Sequence, residues 1–307
     1  MAEIRNPLHQ AACIINPGAA PKKWLRRKWL NRYLDKLPVQ RYEVLSDKKY
    51  MRELVRELSH SHQTIIAIGG DGTIADVLQG IREAGKEKEV VLGIIPMGSG
   101  NAFRKSLAIP NDIRKAVRIL SEGKPRIVNL MDLEGQVAGF SSIGATAAAS
   151  DAGLRHAIKG FWGHAVAGLS LLSLPRWEVE VELEDGLDRK KRPFQKNRLR
   201  LRILDCVVAK SNYFGYSWRI APQASLDDDY LDITFFEMSG WMYALCLPLL
   251  YLGLYQRTLK HYKAKKLILR GKNLPVQYHG EFLGTMDKVE VRVLPQAIKI
   301  ICPAHGR

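Results

Sequence analysis

An aspartate inside a glycine turn is the residue best placed to do chemistry in this chain. Asp71 stands in "GGDGT", residues 69–73, directly after the apolar run Thr64-Ile65-Ile66-Ala67-Ile68. That β-branched run predicts a short buried strand. Behind the turn, Ile74, Val77, Leu78 and Ile81 recur at helical spacing, and Thr73 is placed to cap the helix start. A strand, a glycine turn and a helix N-terminus form an anion site. Backbone N–H groups approach closely there, and the helix dipole favours negative charge. A carboxylate in such a place repels a phosphate unless a metal ion or a transferred proton intervenes. A second turn, "GSGN" at 98–101, follows the apolar run Val90 to Ile95. Neighbouring strand ends of an open parallel sheet converge on one crevice. Backbone donors from Gly70, Gly72, Gly98 and Gly100 can then cradle one polyphosphate. Neither turn has the Walker A spacing, "GSGNAF" does not complete GxGxxG, and glycine turns also serve plain chain reversal.

Two other stretches carry carboxylates worth weighing. "APQASLDDDYLDI", residues 221–233, places Asp227, Asp228 and Asp229 just before a strand, with Asp232 beyond. It is either a solvated acidic turn or a Mg²⁺ or Ca²⁺ site, since hard cations want clustered carboxylate and carbonyl oxygens. "YHGEFLG", residues 278–284, presents Glu281 after a glycine between two strand-like runs. Taken alone, a single exposed Glu carries no function.

The elements that must hold these groups divide at about residue 128. Before it, strand and helix alternate. A strand at Ala11 to Ile15 ends in Asn16-Pro17-Gly18, and a basic helix covers Trp24 to Leu37. A strand near Tyr42 to Leu45 and a helix near Lys49 to Leu58 precede the two glycine turns, and a helix near Asp112 to Ser121 follows them. Such alternation predicts a mostly parallel sheet with helices on both faces. After Val128 strands dominate: Trp177 to Leu183, Leu199 to Val208, Trp218 to Ile220, Leu231 to Phe236, Lys266 to Leu269, Val289 to Leu294 and Ile298 to Ile301. Turns between them predict an antiparallel sandwich, with helical insertions near Gly153 to Leu174 and Gly240 to Lys260. The fold class is therefore α/β plus all-β: a nucleotide-binding α/β domain at 1–128 and a β-sandwich substrate domain at 129–307.

Composition narrows the partners. The chain has 307 residues, 46% of them apolar, and a formal net charge of +16. Such a basic excess suits an anionic partner: nucleic acid, an anionic membrane surface or a phosphorylated substrate. Four scattered cysteines without a CxxC pair read as buried reduced thiols, and the N-terminus has no apolar h-region, so a cytoplasmic location is expected. Met238 to Gln256 runs 19 residues without a charge, the length of a membrane span. Glycine, proline, serine and tyrosines dilute it. A buried helix is preferred, ahead of an interfacial helix and well ahead of a span.

Asn16-Pro17, "GGDGT", "GIIPMGSGNAF" at 93–103, the acidic turn, "HGE" and the closing "VEVRVLP" together resemble the diacylglycerol-kinase-like lipid kinases, from about residue 10 to 301 and in the same order. "GGDGT" is shared with NAD kinases; the acidic turn and the late Gly-Glu point to the lipid branch. The resemblance implies an NAD-kinase-like α/β domain and an ATP-dependent transfer of the γ-phosphate to a lipid hydroxyl of the diacylglycerol, ceramide, sphingoid-base or phosphatidylglycerol class. Asn16, Gly69, Gly70, Gly72, Thr73, Gly98, Ser99, Gly100 and Asn101 would line the ATP site. Asp71 would join the catalytic Mg²⁺ and water network, and Glu281 would act as, or help, the general base. Asp228, with the carbonyls of Ser225 and Tyr230, would hold a second, structural Mg²⁺ or Ca²⁺. The chain departs from the family at Ala102, where bacterial relatives often have Asp, at His279 in place of the Asp of D-G-E, and at Ala75-Asp76 where N-E is usual.

The expected partners are a membrane lipid substrate and an anionic membrane surface, reached peripherally. "PKKWLRRKWLNRYLDKL", residues 21–37, pairs an apolar stripe of Trp24, Leu25, Trp29, Tyr33 and Leu37 with Lys22, Lys23, Arg26, Arg27 and Arg32. "LKHYKAKK", residues 259–266, adds charge after the uncharged stretch. Each basic residue near anionic lipid contributes about 1 kcal/mol. No recognisable nucleic-acid reader motif is present, so nucleic acid is not an expected partner; a homodimer stays open. The rival functions are a soluble NAD-kinase-like enzyme and a catalytically silent nucleotide- or lipid-binding protein.

Overall fold

The structure is a computed structural model and describes residues 8, 10–19, 27–45, 47–98, 100–150, 175–213, 219–252, 254 and 259–304. The chain forms two compact units, Met1–Asn129 with Pro295–Arg307, and Leu130–Leu294.

In the first unit, β1 (Ala11–Ile15), β2 (Val39–Glu43), β3 (Thr64–Gly69) and β4 (Val91–Pro96) are parallel in the order β2-β1-β3-β4. β1 and β3 are buried at every residue, which is why they are unbroken apolar runs rather than alternating ones. The C-terminal end of β13 (Glu281–Cys302) returns to this sheet, with Lys299 and Ile300 parallel to Val91 and Leu92. The helices are α1 (Arg27–Leu34), α2 (Lys48–Leu58), α3 (Asp71–Glu83), α4 (Phe103–Ser106) and α5 (Ile113–Glu122). Asp47 and Asp112 cap α2 and α5 by accepting from the N–H groups of Tyr50 and Lys115, as short polar side chains do at that position.

Two local expectations are corrected here. α3 begins at Asp71 with Gly70 as its N-cap, so Thr73 lies inside the first turn and is buried. On α1 the buried positions are Leu30 and Leu34, with Tyr33 and Leu37 packed beside them. This is the i, i+3, i+4, i+7 face of a surface helix. Trp24, Leu25 and the Trp29 side chain lie outside the described residues. Asp76, at the departure from N-E, is buried against Arg52 of α2, which reaches it at 2.8 and 2.9 Å.

The chain leaves the first unit within β5 (Lys124–Leu133). The second unit holds β6 (Gln136–Ala138), β7 (Phe140–Gly144), β8 (Trp177–Leu187), β9 (Pro193–Ile203), β10 (Asp205–Ala209), β11 (Leu231–Phe236), β12 (Lys260–Tyr278) and the first half of β13, with the short helix α6 (Ala145–Ala148). These strands pair antiparallel. β12 is the organiser: residues 260–264 pair with β11, 263–270 with β8 and 276–278 with β7. The predicted strands Lys266 to Leu269, Val289 to Leu294 and Ile298 to Ile301 are thus parts of two longer ones. The break expected between the latter pair survives only as a positive φ at Gln296. Ile220 is a bend and not a strand, and the helix expected at 153–174 lies outside the described residues. On β8 and β9, glutamates at 178, 180, 182 and 184 face Arg202, Arg200, Arg198 and Lys196. These four basic residues are therefore answered within the sheet.

The uncharged stretch becomes α7 (Gly240–Leu252), with Pro248 inside it. Its Tyr243, Cys246 and Leu250 are buried, but Trp241, Leu245, Leu249 and Leu252 are 56%, 70%, 44% and 56% exposed. The expectation of a wholly buried helix is corrected to a helix apolar all round and covered on one side. No helix among the described residues is long and apolar enough to cross a membrane. All four cysteines are buried and unbridged.

Candidate functional site

Asp71 opens α3 at the point where β3 gives out, and its carboxylate reaches across to the second glycine turn. Oδ2 accepts from the N–H of Ala102 at 2.9 Å and Oδ1 from that of Phe103 at 3.0 Å. Loss of water around the carboxyl raises its pKa. The N–H groups of Ala102 and Phe103, and then Arg104 and Lys105, offset part of that rise. Ala102, the first departure from the family, needs only its backbone for this contact.

Gly70 and Gly98, where the two turns meet, leave no room for a side chain. A Cβ on Gly70 would lie 3.1 Å from the Gly98 Cα, and one on Gly98 would collide with the Gly70 Cα. The N–H groups of Met97 and Gly98 donate to the Gly69 carbonyl at 2.7 and 2.9 Å, stitching β4 to β3. Asn16 Nδ2 donates to Thr73 Oγ1 at 3.0 Å, while its Oδ1 accepts from the Gly18 N–H at 3.0 Å. Asn101 has a positive φ of 49°, which Asn tolerates better than most residues. Its Oδ1 accepts from the Gly98 N–H at 3.0 Å, and its Nδ2 donates to the Gly98 carbonyl at 2.8 Å and to Asn111 Oδ1 at 3.1 Å. Asn16 and Asn101 are therefore positioning residues that fix the turns. Gly72 falls in the first turn of α3 and Gly100 lies partly exposed between Gly98 and Asn101. Ser99 lies outside the described residues. Close-set backbone N–H groups at a helix N-terminus, with room only for glycine, fit a nucleotide polyphosphate. Asp71 would offer one carboxylate to a Mg²⁺ held on such phosphates.

In the second unit, His279 and Gly280, with φ of 47° and 80°, form the two-residue turn that joins β12 to β13. Both φ values are positive, as a type I′ hairpin requires. Glu281 follows at once, paired with Tyr278 and partly exposed. The turn is held from below: the Gly280 N–H donates to Gln277 Oε1 at 2.7 Å, and Gln277 Nε2 donates to Ser142 Oγ at 3.0 Å. Burial pushes the His279 pKa down to about 4. Its Nε2 accepts from the Gly139 N–H at 2.9 Å, so the ring is neutral and adds no negative charge beside Glu281.

The acidic turn is built differently from expectation. Lys210 Nζ donates to the Asp228 carbonyl at 2.6 Å, to Asp228 Oδ1 at 2.8 Å and to the Tyr230 carbonyl at 2.8 Å. Lys263 Nζ takes Asp228 Oδ2 at 2.6 Å. Burial pushes the Asp228 carboxyl up, but the two lysines outweigh it and hold the group below its ordinary value. Ser225 contributes an Oγ that accepts from the Asp227 N–H at 3.1 Å. Among the described residues no three His, Cys, Asp or Glu side chains gather as a metal-ligand set. The residues present do not fit a structural divalent cation here. Sequence reasoning missed Lys210, although a lysine ending the apolar strand Asp205–Ala209 was a visible signal. Lys263 had been assigned to the membrane-facing basic run. Lys260, His261 and Lys266 of that run likewise face Glu237, Asp232 and Glu290, which reduces its net charge.

Residues 10–133 match the diacylglycerol kinase catalytic domain, and residues 167–302 match the YegS C-terminal NAD kinase beta sandwich-like domain. A diacylglycerol kinase of Staphylococcus saprophyticus is 27% identical over 193 residues, covering 61% of this chain and 59% of the relative. A diacylglycerol kinase of Staphylococcus aureus is also 27% identical, covering 61% and 57%. The chain thus spans under two thirds of the length of these relatives. A solved diacylglycerol kinase from Bacillus anthracis superposes with a TM-score of 0.68 at 16% identity, over 95% of this chain and 96% of that one. A further solved chain from that organism gives 0.70 at 18%, with the same coverage. At such identities these structures establish the shared fold: an α/β domain with a β-sandwich domain.

Proposed function

As a member of the diacylglycerol-kinase-like family, this chain is, we propose, an ATP-dependent lipid kinase that phosphorylates a hydroxyl of a membrane lipid. The observation that supports it most is the joining of the two glycine turns through Asp71, which builds one anion cradle with a carboxylate in it. The turns bind and orient the phosphates through backbone N–H groups. Asn16 and Asn101 keep those turns in shape. Bound ATP supplies the phosphoryl group, and Mg²⁺ offsets its charge during transfer. Asp71 keeps lone pairs on both oxygens beyond the two N–H bonds, through which it would hold the ion. Glu281 is assigned the proton of the lipid hydroxyl, a step that typically contributes a factor of ~10² to 10⁴. Neutral His279 leaves that carboxylate without a negative neighbour at the position preceding Gly280.

Access to a bilayer is assigned to α7, whose exposed apolar side chains Trp241, Leu245, Leu249 and Leu252 suit the membrane interface through buried apolar area. The decisive experiment is transfer of labelled γ-phosphate from ATP to separate vesicles of diacylglycerol, ceramide, sphingosine and phosphatidylglycerol, with NAD⁺ as a soluble acceptor. Label in one lipid, absent from Asp71→Asn, is expected. Label in NAD⁺ alone, or in no acceptor despite ATP binding, would overturn the assignment.

A further inference from the structure

The acidic turn at 225–230 has the oxygens of a hard-cation site but already contains a cation from the chain itself. We propose that the Lys210 ammonium is the resident cation of this turn and takes the place of a structural Mg²⁺ or Ca²⁺, so that the turn folds without metal. An ammonium has three N–H donors. Lys210 directs them at three oxygens, the Asp228 carbonyl, Asp228 Oδ1 and the Tyr230 carbonyl, at 2.6, 2.8 and 2.8 Å. Its side chain is 0% exposed, so the charge is held inside the turn rather than resting on its surface.

These are carboxylate and backbone carbonyl oxygens, the set a hard divalent ion selects. A dication bound by the same oxygens would have to occupy the volume of the ammonium and lie against its charge. Local charge balance points the same way. Asp228 is met by Lys210 and Lys263, and Asp232 by Lys263 at 3.4 Å and His261 at 3.1 Å. Two lysines already answer these two carboxylates, which weakens their pull on a further double charge. β10, which ends at Ala209, and β11, which starts at Leu231, pair antiparallel. Lys210 therefore reaches back to the turn from the adjacent strand end, a position only the tertiary fold creates. The inference is independent of the activity proposed above and of the identity of the lipid.

Thermal unfolding of the full chain without nucleotide tests it, because omitting nucleotide separates this turn from Mg²⁺ at the phosphate cradle. Metal content is measured on the same sample by mass spectrometry. The wild type is expected to hold no stoichiometric metal and to keep the same Tm in EDTA and in millimolar Ca²⁺. Lys210→Met, which leaves the carboxylate and both carbonyls without that donor, is expected to lower Tm by roughly 5–10 °C. Ca²⁺ is expected to recover part of that loss, and not in Lys210→Met/Asp228→Asn. Stoichiometric metal in the wild type, or a wild-type Tm that falls in EDTA, would overturn the proposal even if the variant does not fold. So would a Lys210→Met protein as stable as wild type without metal, or one whose Tm Ca²⁺ does not raise.

Discussion

Replacing Asn101 separates what this residue does by hydrogen bonding from what it does by backbone conformation. The side chain is 2% exposed and makes three hydrogen bonds that fix the second glycine turn. They are not equal. The bond to the Gly98 carbonyl is buried and contributes about 1 kcal/mol. The Gly98 N–H also donates to the Gly69 carbonyl at 2.9 Å, so losing Asn101 Oδ1 removes only part of its satisfaction. Asn111 is exposed, where a bond contributes about 0.5 kcal/mol. Together these bonds stabilise by roughly 2 kcal/mol. Asn101→Ala keeps the Cβ that the wild type already carries at a φ of 49°, whereas Asn101→Gly relieves its strain, about 1 kcal/mol. Urea unfolding should therefore place the alanine variant about 2 kcal/mol and the glycine variant about 1 kcal/mol below wild type. Both should weaken ATP binding, because the second glycine turn loses the Asn101 bonds that hold its shape. An alanine variant as stable as wild type, or one no less stable than the glycine variant, would refute the reasoning.

Asp71→Asn is expected to abolish phosphate transfer while ATP binding, measured by calorimetry, largely survives. Glu281→Gln should do the same and lose at least ~10²-fold in turnover; near-wild-type turnover in either would remove that role. Asp205 is fully buried and accepts from the Thr146 hydroxyl and N–H and from the Cys206 N–H; burial raises its pKa from 3.8 to about 7, against the pull of those donors. A carboxyl raised in the folded state stabilises below its unfolded value, and that stability is lost as pH rises through about 7. Asp205→Asn should therefore gain on wild type by up to about 4 kcal/mol between pH 4 and 8, and a pH-independent difference in unfolding free energy would contradict this. Leu245→Ser with Leu252→Ser should reduce co-sedimentation with vesicles with little change in unfolding, since these side chains are 70% and 56% exposed; equal co-sedimentation would detach α7 from the membrane.

Sequence alone determined what is local. β3, β4 and their glycine turns were legible because a buried parallel strand is an unbroken apolar run and glycine marks where two backbones must meet. The presentation of Glu281 straight after a His-Gly turn likewise follows from residue types at fixed spacing within a few positions. What lay beyond reach was every pairing between distant segments. That Asp71 ties to Ala102 and Phe103, that Lys210 fills the turn at Asp228, and that Ile300 rejoins the sheet of Leu92 are contacts across 18 to 208 residues. No periodicity records them. The acidic turn shows why: a run of aspartates states that negative charge is present, and only the fold decides which positive charge meets it. α7 gives the converse case, since a uniformly apolar helix carries no phase to say which side faces the protein, and contacts such as Tyr243 with Phe236 and Thr146 come only from the fold.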